Sequence, residues 1–150
     1  MAAPAGNEFW KMRSTHGRKP IFPDADTLWD AACEYFAWVE ANPLKEAQAF
    51  AYQGAVTVHE LSKMRAMTIS GLCIFLDISL QNWTEYRERE GFSDITSRVD
   101  DIIRTQKFEG ASAGLLNASI IARDLGLSEK SELSGAGGGP LVFKTIYETK

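Results

Sequence analysis

The sequence predicts a mainly α protein, with a helical core that contains a helix-turn-helix-like corner, a β-hairpin projection at about residues 45–61, and a C-terminal strand. Three observations predict it. Apolar residues recur at three-to-four spacing in several segments, the mark of helices with one buried face. Around Gln53-Gly54 the pattern changes to β-branched and aromatic residues alternating with polar ones, as in a hairpin. Near the end, Ser134-Gly-Ala-Gly-Gly-Gly139 and Pro140 precede a run rich in β-branched and aromatic residues.

The chain of 150 residues fits one domain, and a domain of that size buries roughly 70% of its unfolded surface. It divides into an arm (1–22), a core (23–133) and a linker with its strand (134–150). The arm contains Pro4, Gly6, Gly17 and Pro20 and no sustained period, yet Phe9, Trp10 and Phe22 are a large apolar load for a floppy tail. They are expected to dock on the chain's own core or on a neighbouring copy.

Asp24 or Asp26 caps the first helix, which places Leu28, Ala32, Tyr35, Phe36 and Val39 on one face. Trp29, Cys33 and Trp38 widen that face, and Pro43 stops the helix near Asn42. Such a helix needs cover on two sides, from a subunit interface or from a deep core. From Lys45 to Leu61 the chain reads as a hairpin, although Ala47, Ala49 and Ala51 would also tolerate helix.

Thr68 caps a short helix with Ile69, Leu72, Cys73 and Leu76 in phase; Asp77-Ile78-Ser79 breaks it, and Ser79 caps a second helix that ends at Gly91. Two short helices around a three-residue turn have the outline of a helix-turn-helix unit. Ser93 is expected to cap a longer helix with Ile95, Val99, Ile102, Ile103 and Gln106 in phase, and Asp94, Arg98, Asp101 and Arg104 on a solvated face. A further helical pattern runs through Leu115, Leu116, Ser119, Ile120 and Ala122 to Gly126. Gly110 and Gly114 allow either a bend or the close packing of another helix.

The strand Leu141–Glu148 would be about 26 Å long. It has no sequential partner, so it either folds back on the hairpin or pairs with copies from other subunits. The glycine linker favours the second. A closed intersubunit β-barrel in a ring oligomer then removes every edge, with Leu141, Val142, Phe143, Ile146 and Tyr147 as the oligomerisation residues.

The net charge of −4 is the wrong sign for a typical nucleic-acid binder. It is unevenly spread, however. Lys11, Arg13, Arg18 and Lys19 stand against Glu8 alone in the first twenty residues, whereas residues 21–60 hold Lys45 against Asp24, Asp26, Asp30, Glu34, Glu40, Glu46 and Glu60. Such polarity suits an anion at one end and a basic surface at the other.

Catalysis finds no support in the motifs. There is no Gly-x-x-x-x-Gly-Lys-Ser/Thr loop, and the glycines at 135–139 precede a strand rather than a helix. Asp100 and Asp101 sit about 100° apart on a helix, a poor metal pair. Cys33 and Cys73 read as packed free thiols in a reducing compartment. No metal, cofactor, membrane span or secretory leader is expected.

Several runs carry a family resemblance. Gly6–Arg18, Leu28–Pro43, Lys63–Thr68 and, most specifically, Leu115-Leu-Asn-Ala-Ser-Ile-Ile-Ala-Arg-Asp-Leu-Gly-Leu127 resemble the terminase small subunits of short-tailed, headful-packaging double-stranded-DNA bacteriophages, over about residues 3–133. The resemblance implies a non-enzymatic DNA-packaging protein that forms a ring, a nonamer by analogy, around a central channel. It also implies binding to the packaging initiation site on concatemeric viral DNA. The large terminase subunit is the implied partner, with its ATPase and nuclease, and the host cytoplasm rather than the mature virion the implied location.

One departure bears on DNA contact. Some similar-looking members end in a strongly basic tail credited with DNA binding, but here Lys130, Lys144 and Lys150 are balanced by Glu129, Glu132 and Glu148. Contact is therefore expected from the arm (Lys11, Arg13, Arg18, Lys19) and from the second short helix (Gln81, Asn82, Arg87, Arg89). The rival readings are a free-standing helix-turn-helix regulator and a phage adaptor ring with no DNA role. Glu85, Glu88 and Glu90 on the candidate recognition helix count against the first.

Overall fold

Asp24 starts the first helix by accepting the Thr27 backbone N–H at 2.8 Å in a computed structural model that describes residues 22–128, 134–140 and 142–143. The element order is α1 (Ala25–Ala41), β1 (Leu44–Tyr52), β2 (Ala55–Lys63), α2 (Ile69–Leu76), α3 (Leu80–Glu88), α4 (Ser93–Ser112) and α5 (Ala118–Asp124). The mainly helical architecture with one antiparallel hairpin is as the sequence predicts. The arm, apart from Phe22, lies outside the described residues.

Helix α1 buries Leu28, Ala32, Tyr35 and Val39 against Leu72, Cys73, Phe75 and Leu76 of α2, with Trp83, Tyr86, Phe92, Val99 and Ile103 completing one core. Its second face is covered from within the chain: the Arg98 guanidinium lies 4.6 Å above the Trp29 ring and Arg65 lies 5.0 Å above Trp38. Cation–π contacts of this kind shield an indole face without burying it fully. The exposed face of α4 is thus solvated, as expected, but Arg98 on it is committed to an aromatic ring.

Tyr35 joins α1 to the start of α2. Its hydroxyl donates to the Thr68 carbonyl at 3.3 Å and accepts the Thr68 N–H at 3.1 Å, while the Thr68 side chain caps Gly71. A Cβ on Gly71 would stand 2.6 Å from the Tyr35 hydroxyl, so glycine here is a packing requirement. Gly110 is similar. Helix α4 runs through it unbroken, and an added Cβ would meet Leu116 Cδ1 at 2.7 Å and Met64 Sδ at 2.9 Å. The bend falls instead after Ser112, where Gly114 has φ +72°, so the long pattern is two helices.

One expectation is corrected. Ser93 is the first residue of α4, not its cap; Phe92 holds the cap position with φ −109° and ψ −21° and makes no side-chain cap bond. A capping side chain needs an extended cap residue, and the tight turn through Gly91 (φ +85°) denies it. Thr96, fully buried, donates its hydroxyl back to the carbonyls of Phe92 at 3.1 Å and Ser93 at 3.0 Å.

Strands β1 and β2 pair in perfect register from Leu44–Lys63 to Tyr52–Ala55. Gln53 and Gly54 both have positive φ, 50° and 82°, the pattern of a type I′ turn. Lys45 alone in the two strands is partly buried; every other residue is exposed. Of the expected strand 141–148, Val142 and Phe143 lie in no strand and are 88% exposed. Leu141, Ile146 and Tyr147 lie outside the described residues, and the barrel has no counterpart in a single chain.

Both cysteines are free thiols. Burial pushes the Cys73 thiol up to about 11, with Arg87 opposing. The folded state therefore holds this proton more tightly than the unfolded chain. The associated stability is complete below the ordinary thiol value near 9.0 and is lost as pH rises through about 11. The urea midpoint should fall more steeply between pH 8.5 and 10.5 for the native chain than for Cys73→Ala; parallel curves would assign the pH effect elsewhere.

Candidate nucleic-acid interface

The α2–turn–α3 corner is built by its caps. Asp77 ends α2 in the left-handed region at φ +55°, a conformation an aspartate tolerates better than most residues. Ser79 then opens α3 with a capping box. Its hydroxyl accepts the Asn82 N–H at 3.1 Å, and the Asn82 side chain accepts the Ser79 N–H at 3.2 Å. Trp83 and Tyr86 anchor the inner face of α3. The Tyr86 hydroxyl accepts the Phe22 N–H at 3.2 Å, which fixes the point where the arm joins the core.

The structure places Gln81, Asn82 and Arg87 on α3 and Arg89 at its C-cap, each with an intramolecular partner. Asn82 is used by the cap. Arg87 makes a two-pronged ion pair with Asp100 of α4, Nε–Oδ2 at 2.8 Å and an Nη–Oδ1 bond at 3.0 Å. Asp100 also accepts the Trp83 indole N–H at 3.3 Å. Gln81 donates to Glu85 at 3.3 Å, and Arg89 lies 5.1 Å over the Phe92 ring. Gln81 and Arg89 remain exposed, beside exposed Glu85, Glu88 and Glu90. Lys11, Arg13, Arg18 and Lys19 lie outside the described residues.

Beside α3 a cleft of about 510 Å³ opens between α2, α4 and α5. Its lining balances Arg87, Arg104 and Lys107 against Asp100, Asp101 and Asp124, so it does not present the net positive charge a phosphate seeks. Among the described residues no cluster of three metal-ligating side chains occurs, and no helix is long and apolar enough to cross a membrane.

Residues that sequence reasoning passed over fix the hairpin to the core. Arg65 donates from Nε to the Asn42 carbonyl at 2.6 Å, tying the exit of β2 to the end of α1. Gln106 of α4 clamps the same segment: it donates to the Arg65 carbonyl at 3.0 Å and accepts the Met67 N–H at 3.0 Å. The signal for Gln106 was its polar side chain in phase with the apolar stripe of α4. Arg65 sits in irregular chain, where periodicity says nothing.

A model of the family described as DNA-packaging protein gp3 matches residues 17–133. The chain belongs to that family, and it is a DNA-packaging protein of the terminase small-subunit class. It is similar to the small subunit of the terminase from Salmonella phage P22, at 57% identity over 133 residues that cover 89% of this chain and 82% of that protein.

Proposed function

We propose that this chain, as a terminase small subunit, binds the packaging initiation site on concatemeric viral DNA as a ring of identical copies. The nonamer is the expected form. The ring recruits the large terminase subunit and regulates its ATPase and nuclease in the cytoplasm of the infected host, and it is not carried into the mature virion. The observation that carries this reading is the match to the packaging family across residues 17–133, which spans both the corner and the hairpin.

The residue chemistry supports a division of labour. With Arg87 held by Asp100 and Asn82 by its cap, each copy offers few uncommitted side chains at the corner, and the basic arm supplies the cations. A small patch becomes effective when a ring repeats it along one DNA molecule. The same arrangement disfavours a dimeric regulator, whose single recognition helix must carry the affinity alone.

Gel shifts across a salt series, with DNA carrying the packaging site, test the reading. Replacing Lys11, Arg13, Arg18 and Lys19 with alanine should weaken binding at least tenfold and flatten the salt dependence. Gln81→Ala with Arg89→Ala should narrow the preference for packaging-site over unrelated DNA and leave the salt slope nearly unchanged. A native chain that binds no DNA at low salt would point to an adaptor ring. A dimer by native mass spectrometry would point to a regulator.

A further inference from the structure

Between α1 and α4 lies a groove of about 480 Å³, within the size range of ligand clefts. Phe36, Met67 and Ile102 give it an apolar surface, and Glu40, Asp101 and Glu109 line it with carboxylates. All three carboxylates are exposed, and none makes an ion pair among the described residues. The cation in the lining, Arg98, is turned onto the Trp29 ring, and Gln106 is spent on the Arg65 and Met67 backbone. The groove therefore joins apolar surface to uncompensated negative charge. That combination suits an aromatic residue flanked by cations, and it repels nucleic acid.

We propose that this groove seats the basic arm of the same chain, with Trp10 on the apolar surface and Lys11 and Arg13 against the carboxylates. The run Phe9-Trp10-Lys11-Met12-Arg13 supplies both chemistries in one short stretch. The tether also fits. Phe22 is buried beside the start of α1, with its N–H on the Tyr86 hydroxyl. Phe36 lies about 17 Å along α1 from Ala25, whereas the chain from Phe22 back to Trp10 can span up to about 40 Å. Attachment to the core also raises the concentration of the arm at the groove. The C-terminal segment lacks the matching charge, because Lys130, Lys144 and Lys150 are balanced by Glu129, Glu132 and Glu148. One consequence rests on the DNA reading above. The arm's cations then have two anionic partners, groove and DNA, and seating in one excludes the other. The groove restrains DNA binding by the fraction of arms it holds.

The experiment uses the full chain. In a Cys33→Ser background, Met12→Cys with Thr105→Cys of the groove should form an intrachain disulfide under copper–phenanthroline oxidation, mapped by peptide mass spectrometry. Trp10→Ala should abolish it, and saturating packaging-site duplex should suppress it. In gel shifts, Glu40→Gln, Asp101→Asn and Glu109→Gln together should tighten DNA binding about threefold or more, by freeing seated arms. Neutralising Glu34, Glu60 and Asp94, exposed carboxylates outside the groove, should give a smaller gain. Replacing the four arm cations with alanine should erase the difference between the two triple variants. Absence of the disulfide overturns the proposal, and so does a ladder of linked chains, which places the arm on a neighbouring copy. Equal gains from the two triple variants overturn the restraint, leaving only long-range charge. A chain that forms the disulfide but binds no DNA supports the seat and fails the DNA reading alone.

Discussion

Replacing Trp83 with alanine should lower stability by about 3–5 kcal/mol, the cost of truncating a fully packed aromatic residue. For a domain of this size that corresponds to a melting temperature lower by roughly 10–20 °C. Trp83 is 1% exposed and is the largest fully buried side chain among the described residues. It fills the space between α3 and the core, and its indole N–H donates to Asp100. Asp100 also holds Arg87, so the same deletion loosens the ion pair that sets the azimuth of α3. Trp83→Phe keeps most of the ring and removes the N–H donor; it should cost about 1–2 kcal/mol. Thermal denaturation of both variants checks the ordering. Equal melting temperatures for Trp83→Ala and the native chain would mean that α3 does not depend on this anchor.

The elements of this fold were legible wherever a local rule acts alone. Thr68 and Ser79 cap their helices because an extended residue with a short hydroxyl can reach the third N–H beyond it. Gln53-Gly54 forms the hairpin turn because both positions must take positive φ. The misjudged cap at Ser93 shows where such rules stop. Whether a serine caps depends on the dihedrals of the residue before the helix, and here Gly91 and the packing of Phe92 set them. The candidate site was less legible for a related reason. Gln81, Asn82 and Arg87 fall on α3 and Arg89 at its C-cap, yet sequence spacing cannot show that Asp100, on a different helix, neutralises Arg87. The contacts of Arg98 with Trp29 and Arg65 with Trp38 are equally non-local. Charge along the chain thus overstated the cations left without an intramolecular partner. It also gave no hint that two of the α1 aromatics are shielded by guanidinium groups.

Breaking the Lys107–Asp124 pair from its two sides should give opposite results. Lys107 is 8% exposed on α4, whereas the Asp124 side chain on α5 is 47% exposed. Removing the carboxylate by Asp124→Ala leaves a buried ammonium without its anion. Partial access to water tempers the penalty, so the expected loss is about 2–3 kcal/mol, below that of a fully enclosed pair. Lys107→Met instead replaces the ammonium with an apolar chain of similar length and returns Asp124 to solvent. That variant should fall within about 1 kcal/mol of the native chain, or exceed it. The double variant should resemble Lys107→Met, because Asp124→Ala is harmful only while the lysine is charged and buried. Urea midpoints for the four proteins give the cycle, and equal losses for the two single variants would show that the pair contributes symmetrically. The consequence reaches beyond stability. Helix α5 is held to α4 by this pair and by buried Ile121, while Leu115, Ile120 and Leu127 stay exposed around it. Lys107→Met should preserve the seating of α5 on α4, and Asp124→Ala should loosen it. Amide exchange in residues 118–124 should then separate the two variants before either loses its core.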